Sequence, residues 1–177
     1  MKLSLAYYGD PILRKKAEPV TEFDDELRKF VKDMEETMLA ARGVGLAAPQ
    51  VHRSVRIFLM NWWERDEDGK VLPSKTWVFI NPKIIEVSEE LFVGSEGCLS
   101  IPKIYEDIAR PLNVTIEAQD EFGKTFRETF NGWLAKAVLH ENDHINGVLF
   151  IDRMAPKKRR EIETTLNAIK RKYYLSK

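Results

Sequence analysis

Two segments with alternating apolar and polar residues, LNVTIEA (112–118) and KTFRETF (124–130), flank the turn-forming sequence QDEFG. Alternation with a period of two places apolar side chains on one face of a strand, so this pair predicts an antiparallel hairpin. Three further runs rich in β-branched and aromatic residues predict more strands: VRIFLM (55–60), TWVFINP (76–82) and KIIEVS (83–88). A chain with these strands must cover their apolar face with a second layer.

Three segments with helical spacing can supply that layer. The first runs from Thr21 to Ala41, where Thr21 and Asp24 resemble a capping box. The second spans Gly132 to Ile145. The third follows Pro156, and its apolar positions recur at helical spacing (Ile162, Leu166, Ile169, Tyr173). The sequence therefore predicts an α+β fold over a single catalytic domain, residues 1–177. Mostly antiparallel strands would surround a central helix, with an N-terminal helix and a basic C-terminal helix over 156–177.

Composition and targeting signals favour a cytoplasmic protein. The only cysteine is Cys98, so no internal disulfide can form and the fold does not require an oxidising compartment. The first residues, MKLSLAYYGDPILRKK, lack the long apolar core of a signal peptide, and no apolar run is long enough to span a bilayer. We expect neither a membrane nor DNA as a partner.

The motif HENDH, from His140 to His144, falls in the second predicted helix. Two histidines four residues apart project from the same face of a helix and can bind one metal ion. Glu141 lies close enough to reach a water on that ion but is poorly placed to be a ligand. The spacing favours a metal-dependent hydrolase over a chance occurrence.

A catalytic metal site needs a third protein ligand, and the residues leave two sources open. A zinc peptidase would use a ligand downstream, where the chain has no histidine and only three acidic residues: Asp152, Glu161 and Glu163. Upstream lies Cys98. A lone cysteine is more often a small buried apolar residue, but beside a two-histidine site that lacks a third ligand the interpretation of Cys98 as a thiolate ligand is favoured.

The segment GVGLAAPQ, from Gly43 to Gln50, follows the first predicted helix. Glycine permits close approach of the backbone to a substrate, although the same residues also suit an ordinary turn. Gln50 follows a rigid proline and could direct its side-chain amide at a developing oxyanion.

GVGLAAPQ, EGCLS and HENDH, in that order, resemble the three signature motifs of the peptide deformylases. The resemblance covers nearly the whole chain, from GDPILRKKAEPV to NGVLFIDRM. This family removes the formyl group from the N-terminal methionine of new bacterial-type proteins. The resemblance therefore implies a metal-dependent amide hydrolase that acts on formyl-methionyl nascent peptides and releases formate.

The resemblance also implies roles for particular residues. Cys98, His140 and His144 would bind one divalent metal ion. The family typically uses Fe²⁺ and also accepts Zn²⁺, Ni²⁺ or Co²⁺, among which the ligand types do not discriminate. Glu141 would take a proton from the attacking water. The Gln50 amide and the Leu99 backbone N–H would stabilise charge on the formyl oxygen.

For the substrate, the resemblance implies strand-like pairing with Gly45 and a methionine pocket at Val44, Trp133 and Ala137. Trp133 and Ala137 fit the core of the central helix equally well. Gly94 departs from the family pattern, because a larger apolar residue often lines the pocket there.

Two charged features support more than one interpretation. Glu96, two residues before Cys98, fits either an ion pair with Arg110 that supports the site or an ordinary surface salt bridge. From Arg153 to Lys177 there are 9 Lys/Arg and 2 Asp/Glu, within a chain of net charge zero. This basic tail fits either a solvated face or docking on ribosomal RNA. A catalytically inactive, RNA-binding relative is disfavoured because the metal and catalytic motifs are intact.

Overall fold

The computed structural model describes residues 1–62, 65–71 and 75–176. Its strands and longer helices, in chain order, are α1 (Asp25–Ala40), β1 (Gly45–Ala47), β2 (Ile57–Trp62), β3 (Lys75–Val87), β4 (Leu91–Cys98), β5 (Ile101–Pro111), β6 (Asn113–Gln119), β7 (Thr125–Asn131), α2 (Trp133–His144), α3 (Pro156–Glu161) and α4 (Glu163–Lys170). Short 3-10 turns occur at Pro11–Arg14, Ala48–Val51 and Phe150–Arg153. The α+β prediction is confirmed. None of the described helices is long and apolar enough to cross a membrane.

The strands form two separate antiparallel sheets. One has five strands in the order β1-β2-β3-β6-β7, and the other is the hairpin β4-β5. The predicted hairpin of residues 112–130 is present as β6 and β7, which pair from Asn113↔Asn131 to Gln119↔Thr125.

The five-stranded sheet is covered on both faces. Ile57 and Leu59 of β2 pack with α1, whereas Phe58 and Met60 pack with α2. Burial on both sides explains why this strand reads as a continuous apolar run rather than an alternating one. Helix α2 is thereby fixed against the sheet through its residues Ala135 and Val138.

A third apolar cluster joins the C-terminal helices to the β4-β5 hairpin. Leu166 and Ile169 of α4 are buried with Ile101 and Ile108 of β5. The predicted apolar stripe is therefore present, and Tyr173 stacks on Tyr7 with ring centroids 4.0 Å apart. The single predicted helix is divided at Ile162, which ends α3.

The predicted start of the first helix is wrong by several residues. The helix begins at Asp25, and Asp24 is its N-cap, because the Asp24 carboxylate accepts a hydrogen bond from Leu27 N at 2.9 Å. Thr21 lies outside the helix.

The two predicted strands at residues 76–88 form one strand, β3. Irregularities in the pairing with β6 allow the strand to pass through Pro82, which cannot donate a ladder hydrogen bond. Asn81 has a positive φ of 51° there. Its side-chain Oδ1 accepts a hydrogen bond from Val20 N, and its Nδ2 donates one to Val20 O. The polar, turn-rich segment NWWERDEDGKVLPSK (61–75) predicts a loop, which begins later than expected because β2 continues to Trp62. Residues 63, 64 and 72–74 of that loop lie outside the described residues.

Candidate active site and metal centre

A cleft of about 400 Å³ lies where three parts of the fold meet. One wall is the segment from Arg42 to Gly45, another is the turn between β4 and β5, and the third is α2. All three sequence motifs therefore contribute to one cavity, although they lie far apart in the chain.

Cys98, His140 and His144 converge in this cleft. Their ligand atoms all lie within 4.8 Å of one another, and Cys98 Sγ is 3.3 Å from His144 Nε2. Both histidines are buried on α2, and Cys98, at the end of β4, is partly buried. The hairpin must therefore dock on α2 before the three ligand atoms can meet.

Behind His140 lies a carboxylate with four hydrogen bonds. Glu96 Oε1 accepts from His140 Nδ1 at 2.8 Å and from Arg110 Nη2 at 2.8 Å. Glu96 Oε2 accepts from Arg110 Nε at 2.7 Å and from Lys136 Nζ at 2.9 Å. Each oxygen thus has two donors, which fills the acceptor capacity of an ionised carboxylate.

This network orients the His140 ring. Burial favours the neutral form of Glu96, but hydrogen bonds from Arg110 and His140 hold the pKa of Glu96 well below its usual range. An ionised Glu96 can only accept, so His140 Nδ1 carries a hydrogen and Nε2 is the ring nitrogen that faces the cleft. A metal-binding histidine is commonly oriented in this way.

The network continues to a second acid. Arg110 Nη1 donates to Asp143 Oδ2 at 2.8 Å, and Arg153 donates to both Asp143 oxygens at 2.6 and 2.8 Å. The Arg110 and Glu96 side chains are 3% and 5% exposed. The Glu96–Arg110 pair is therefore buried, and its interpretation as a surface salt bridge is wrong.

The two histidines differ in their protonation. Burial alone would lower the pKa of His140, but the Cys98 thiol and the Glu96 carboxylate raise it to about 10. Burial lowers the pKa of His144 well below its usual value, and His140 adds to this effect. His144 is therefore neutral near pH 7, whereas a metal ion would have to displace a proton from His140.

Glu141 is buried beside the histidines. Its Oε1 lies 4.0 Å from His140 Nε2. Burial raises the pKa of Glu141 to about 7, against the attraction of His140. A Cβ on residue 45 would lie only 2.5 Å from Glu141 Oε1. Gly45 is thus the residue that lets β1 approach the carboxylate.

Gln50 is held by both ends of its amide. Its Oε1 accepts from Ala47 N at 2.9 Å, and its Nε2 donates to Ser100 Oγ at 3.1 Å. The same Nε2 lies 3.5 Å from Cys98 Sγ, so the amide N–H group is directed at the metal-ligand cluster. Leu99 follows Cys98 in the turn and lines the cleft.

The predicted methionine-pocket residues also line the cleft. Val44 and Trp133 are 58% and 56% exposed, so neither is core, whereas Ala137 is partly buried and also packs against the core. The Trp133 ring meets Phe92 edge to face, with centroids 4.9 Å apart. A Cβ on residue 94 would lie 2.6 Å from Trp133 Cη2, so Gly94 makes room for the indole.

Sequence reasoning missed two polar residues of the site. Ser100 is fully buried and orients Gln50, and Lys136 is 3% exposed and binds Glu96. Lys136 is four residues before His140, on the same helix face, within an otherwise apolar stretch. That isolated lysine was the available signal. Ser100 ends the motif EGCLS, but nothing in the local sequence indicates that it binds Gln50, because that contact depends on the fold.

The donor set fits one divalent metal ion. One thiolate and two imidazoles, with an oriented first imidazole, are ligands that zinc and iron accept. Two buried atoms at the cluster, Glu141 Oε2 and His144 Nδ1, have no hydrogen-bond partner among the described residues. Buried polar atoms are nearly always paired, so a further polar group at the cluster would satisfy them.

Comparison with known proteins agrees with this geometry. A family model described as polypeptide deformylase matches residues 2–160. A peptide deformylase from Christiangramia forsetii is 43% identical over 173 residues, covering 94% of this chain and 88% of the relative. One from Pseudothermotoga lettingae is 44% identical over 163 residues, covering 92% and 89%.

Solved structures agree as well. The crystal structure of a peptide deformylase from Legionella pneumophila superposes with a TM-score of 0.84 at 40% identity, covering 97% of this chain and 96% of that one. Family, sequence and fold therefore coincide, and the chain belongs to the polypeptide deformylase family.

Proposed function

We propose that the cleft removes the formyl group from the N-terminal methionine of nascent proteins, and that Cys98, His140 and His144 bind the divalent ion this requires. The convergence of these three ligand atoms within 4.8 Å is the observation that supports the proposal most strongly. A divalent ion there would supply a Lewis acid that makes water nucleophilic near neutral pH.

Glu141 is the proton carrier of the proposed reaction. Its Oε2 is buried and has no partner among the described residues, so it can accept a proton from water and pass it to the departing amine. The neighbouring Glu96 cannot take this role, because Arg110, Lys136 and His140 already occupy its acceptor positions.

Gln50 and Leu99 stabilise the charge that develops on the formyl oxygen. The Gln50 amide is held by Ala47 and Ser100 with its N–H group towards Cys98, so it needs no reorganisation during the reaction. The backbone N–H of Leu99 belongs to the residue directly after Cys98 and is the second donor in this proposal.

The substrate is held along β1 and by the exposed apolar residues of the cleft. Gly45 and its neighbours offer backbone groups that an extended peptide can pair with. Val44, Trp133 and Ala137 would contact the methionine side chain. A formyl carbonyl carries only hydrogen on its carbon, so a site this crowded by Glu141 and β1 should reject an acetyl group.

Formate release from a formyl-methionyl peptide tests the function. The expected result is turnover by the metal-loaded wild-type protein and none when Cys98, His140 and His144 are all replaced by Ala. Metal analysis that finds full occupancy in the triple variant would overturn the ligand assignment.

The variant Glu141→Gln tests the base. It keeps the shape of the side chain but removes the proton acceptor, so kcat should fall by about 10²–10⁴-fold while metal content is retained. Glu89→Gln, an exposed acid outside the cleft, is the matched control. A Glu141→Gln enzyme within about threefold of wild type would contradict the role, because positioned acid–base catalysis contributes far more.

We propose Fe²⁺ as the native ion, with Zn²⁺, Ni²⁺ or Co²⁺ as substitutes. The family resemblance supports iron, and a thiolate ligand makes an iron site sensitive to oxidation. Protein purified without oxygen should contain iron and lose activity in air. Retention of full activity by an iron-loaded sample in air would argue against this assignment.

We further propose that residues 1–177 act as one cytoplasmic catalytic domain whose basic C-terminal residues dock on the ribosome. Lys157, Lys158 and Arg160 are exposed on α3, and Arg171 and Lys172 are exposed after α4. Some of this charge is neutralised locally, because Arg159 pairs with Glu163 and Lys158 Nζ lies 3.8 Å from Glu106 and 3.9 Å from Glu161. The remaining cations suit the phosphates of ribosomal RNA.

Co-sedimentation with ribosomes at increasing salt tests the docking proposal. Binding should weaken steeply with salt as phosphate counterions are released. Replacing Lys157, Lys158 and Arg160 by Gln should weaken ribosome binding while formate release from short peptides continues. Salt-insensitive binding, or binding unchanged in the triple variant, would overturn it.

A further inference from the structure

The charges around the cleft are arranged unevenly. Its lining includes two exposed cations, Arg42 and Lys103, whereas the acids Glu96 and Glu141 are buried. The surface that a peptide meets at the mouth of the cleft is therefore positive, although the chain as a whole has no net charge.

Neither cation is neutralised by a neighbour. Within residues 1–62, 65–71 and 75–176, the side chains of Arg42 and Lys103 form no ion pair. By contrast, Lys136, the third cation of the lining, is bound to Glu96. Only the two exposed cations have charge available for a ligand.

The two cations stand on different walls of the same cavity. Arg42 precedes Gly43, and a Cβ on residue 43 would lie 2.9 Å from the Leu99 side chain, so these walls are in contact. Lys103 lies on β5, four residues after Leu99. A peptide that enters the cleft therefore meets a cation on two of its walls.

Both residues also have unusual backbones. Only four non-glycine residues in the described part of the chain have positive φ, and Arg42 (55°) and Lys103 (66°) are two of them. This region is sparsely populated for residues with a Cβ, and such residues concentrate at functional sites. For Arg42 the conformation follows from its place directly after the C-cap of α1, where Gly43 N donates to Met38 O at 2.9 Å as in a Schellman motif, whereas Lys103 lies within a strand.

From these observations we infer that Arg42 and Lys103 select formyl-methionyl chains with an acidic side chain at residue 2 or 3. The inference rests on the proposed function. An extended chain advances about 3.3 Å per residue, so residues 2 and 3 remain within reach of long side chains at the cleft mouth. A carboxylate there would meet two unpaired cations, whereas a lysine would be repelled by both.

Peptides of the form formyl-Met-Xaa-Ala-Ser-amide and formyl-Met-Ala-Xaa-Ser-amide test this, with Xaa as Glu, Gln or Lys. The amide removes the C-terminal charge, so Xaa carries the only charge. At low salt, kcat/KM for Glu should exceed that for Lys by about 3- to 10-fold in at least one series, because each exposed ion pair contributes only a few-fold. The ratio should fall towards one at about 1 M salt, where the Debye length is about 3 Å.

Charge-reversal variants identify the residues responsible. The Glu/Lys ratio is compared within each variant, so any general loss of activity cancels. Arg42→Glu and Lys103→Glu should each lower the ratio, and the double variant should favour Lys. Lys124→Glu, at the exposed turn between β6 and β7, is the matched control and should keep the wild-type ratio.

The outcomes separate this inference from the proposed function. If no peptide releases formate, the proposed function fails. If all peptides react but Glu, Gln and Lys are equivalent in both series, the selectivity is overturned. If the wild-type Glu/Lys ratio persists in the double variant, residues other than Arg42 and Lys103 cause the selectivity. If the double variant loses ribosome binding but keeps the ratio, these cations serve RNA and the inference fails.

Discussion

Two groups of charged residues in this protein have opposite environments. Glu96, Arg110, Lys136 and Asp143 form a buried network behind the proposed metal ligands, joined by hydrogen bonds of 2.7–2.9 Å. The C-terminal cations are mostly exposed, and the closest acids to Lys158 lie 3.8 and 3.9 Å away. Burial, rather than the number of charges, separates the two groups.

The comparison shows that the two groups of charges have different effects: the buried charges hold side chains in position, whereas the exposed charges can attract a charged partner. In the buried network each charge is needed by its partner, because a charge left unpaired in the interior is very unfavourable. In the exposed group each charge is screened by water and salt, so its removal has little effect on the fold. The following predictions test this division.

Removing Arg110 should have the largest effect. Arg110→Met leaves Glu96 and Asp143 without their shared cation, and the free energy of unfolding should fall by about 3–5 kcal/mol. Denaturant unfolding measures the change. Arg127→Met is the matched control, since Arg127 forms an exposed ion pair with Glu117 at 3.0 Å. An equal loss in the free energy of unfolding for both variants would contradict the division between buried and exposed charges.

Removing Lys136 should chiefly affect metal binding. Lys136→Met takes one donor from Glu96, which orients the His140 ring, and should weaken metal affinity by about 10–100-fold. Competition with a chelator measures the affinity independently of catalysis. Lys136→Arg keeps the cation and should restore part of the affinity. An affinity within twofold of wild type in Lys136→Met would show that Lys136 does not position the ligand.

Asp152 provides an intermediate case. Its side chain is 35% exposed and pairs with Arg14 at 2.5 Å. Burial opposes ionisation of Asp152, but Arg14 and the Leu149 N–H hold its pKa below the usual value. A lowered pKa stabilises the fold above about pH 4 and loses this contribution as pH falls through the folded pKa. Asp152→Asn should therefore lower stability by roughly 0.2–1 kcal/mol at pH 7 and have little effect near pH 2. A loss that is equal at both pH values would exclude the ion pair as its cause.

The smallest effect is expected from the exposed cations. Replacing Lys157, Lys158 and Arg160 by Gln should change the free energy of unfolding by less than about 0.5 kcal/mol per residue. Thermal unfolding at low and high salt measures this. A large loss would mean that these residues stabilise the fold, and the division between the two groups would no longer hold.

The sequence predicted the parts of the site that depend on local spacing. His140 and His144 are four residues apart on a helix, so their convergence follows from helix geometry. The β6-β7 hairpin was predicted because both strands alternate regularly about a short turn. These features need no information about distant segments.

The features that escaped prediction depend on distant contacts. The β4-β5 hairpin was missed because Gly94 and Glu96 occupy its inner face, where alternation would predict apolar residues. Both are accommodated by α2, through Trp133 and Lys136 respectively. The α1 start was misplaced because Thr21 and Asp24 are both acceptable N-caps by residue type. Which of them caps the helix depends on the backbone conformation.

The contact between Gly94 and Trp133 has an evolutionary consequence. The indole occupies the volume that any side chain at residue 94 would need. The two positions are therefore coupled: a larger residue on β4 requires the indole on α2 to move or to be replaced by a smaller side chain. The same cleft can thus be filled from either wall, and relatives that differ at both positions can present a similar surface to the substrate.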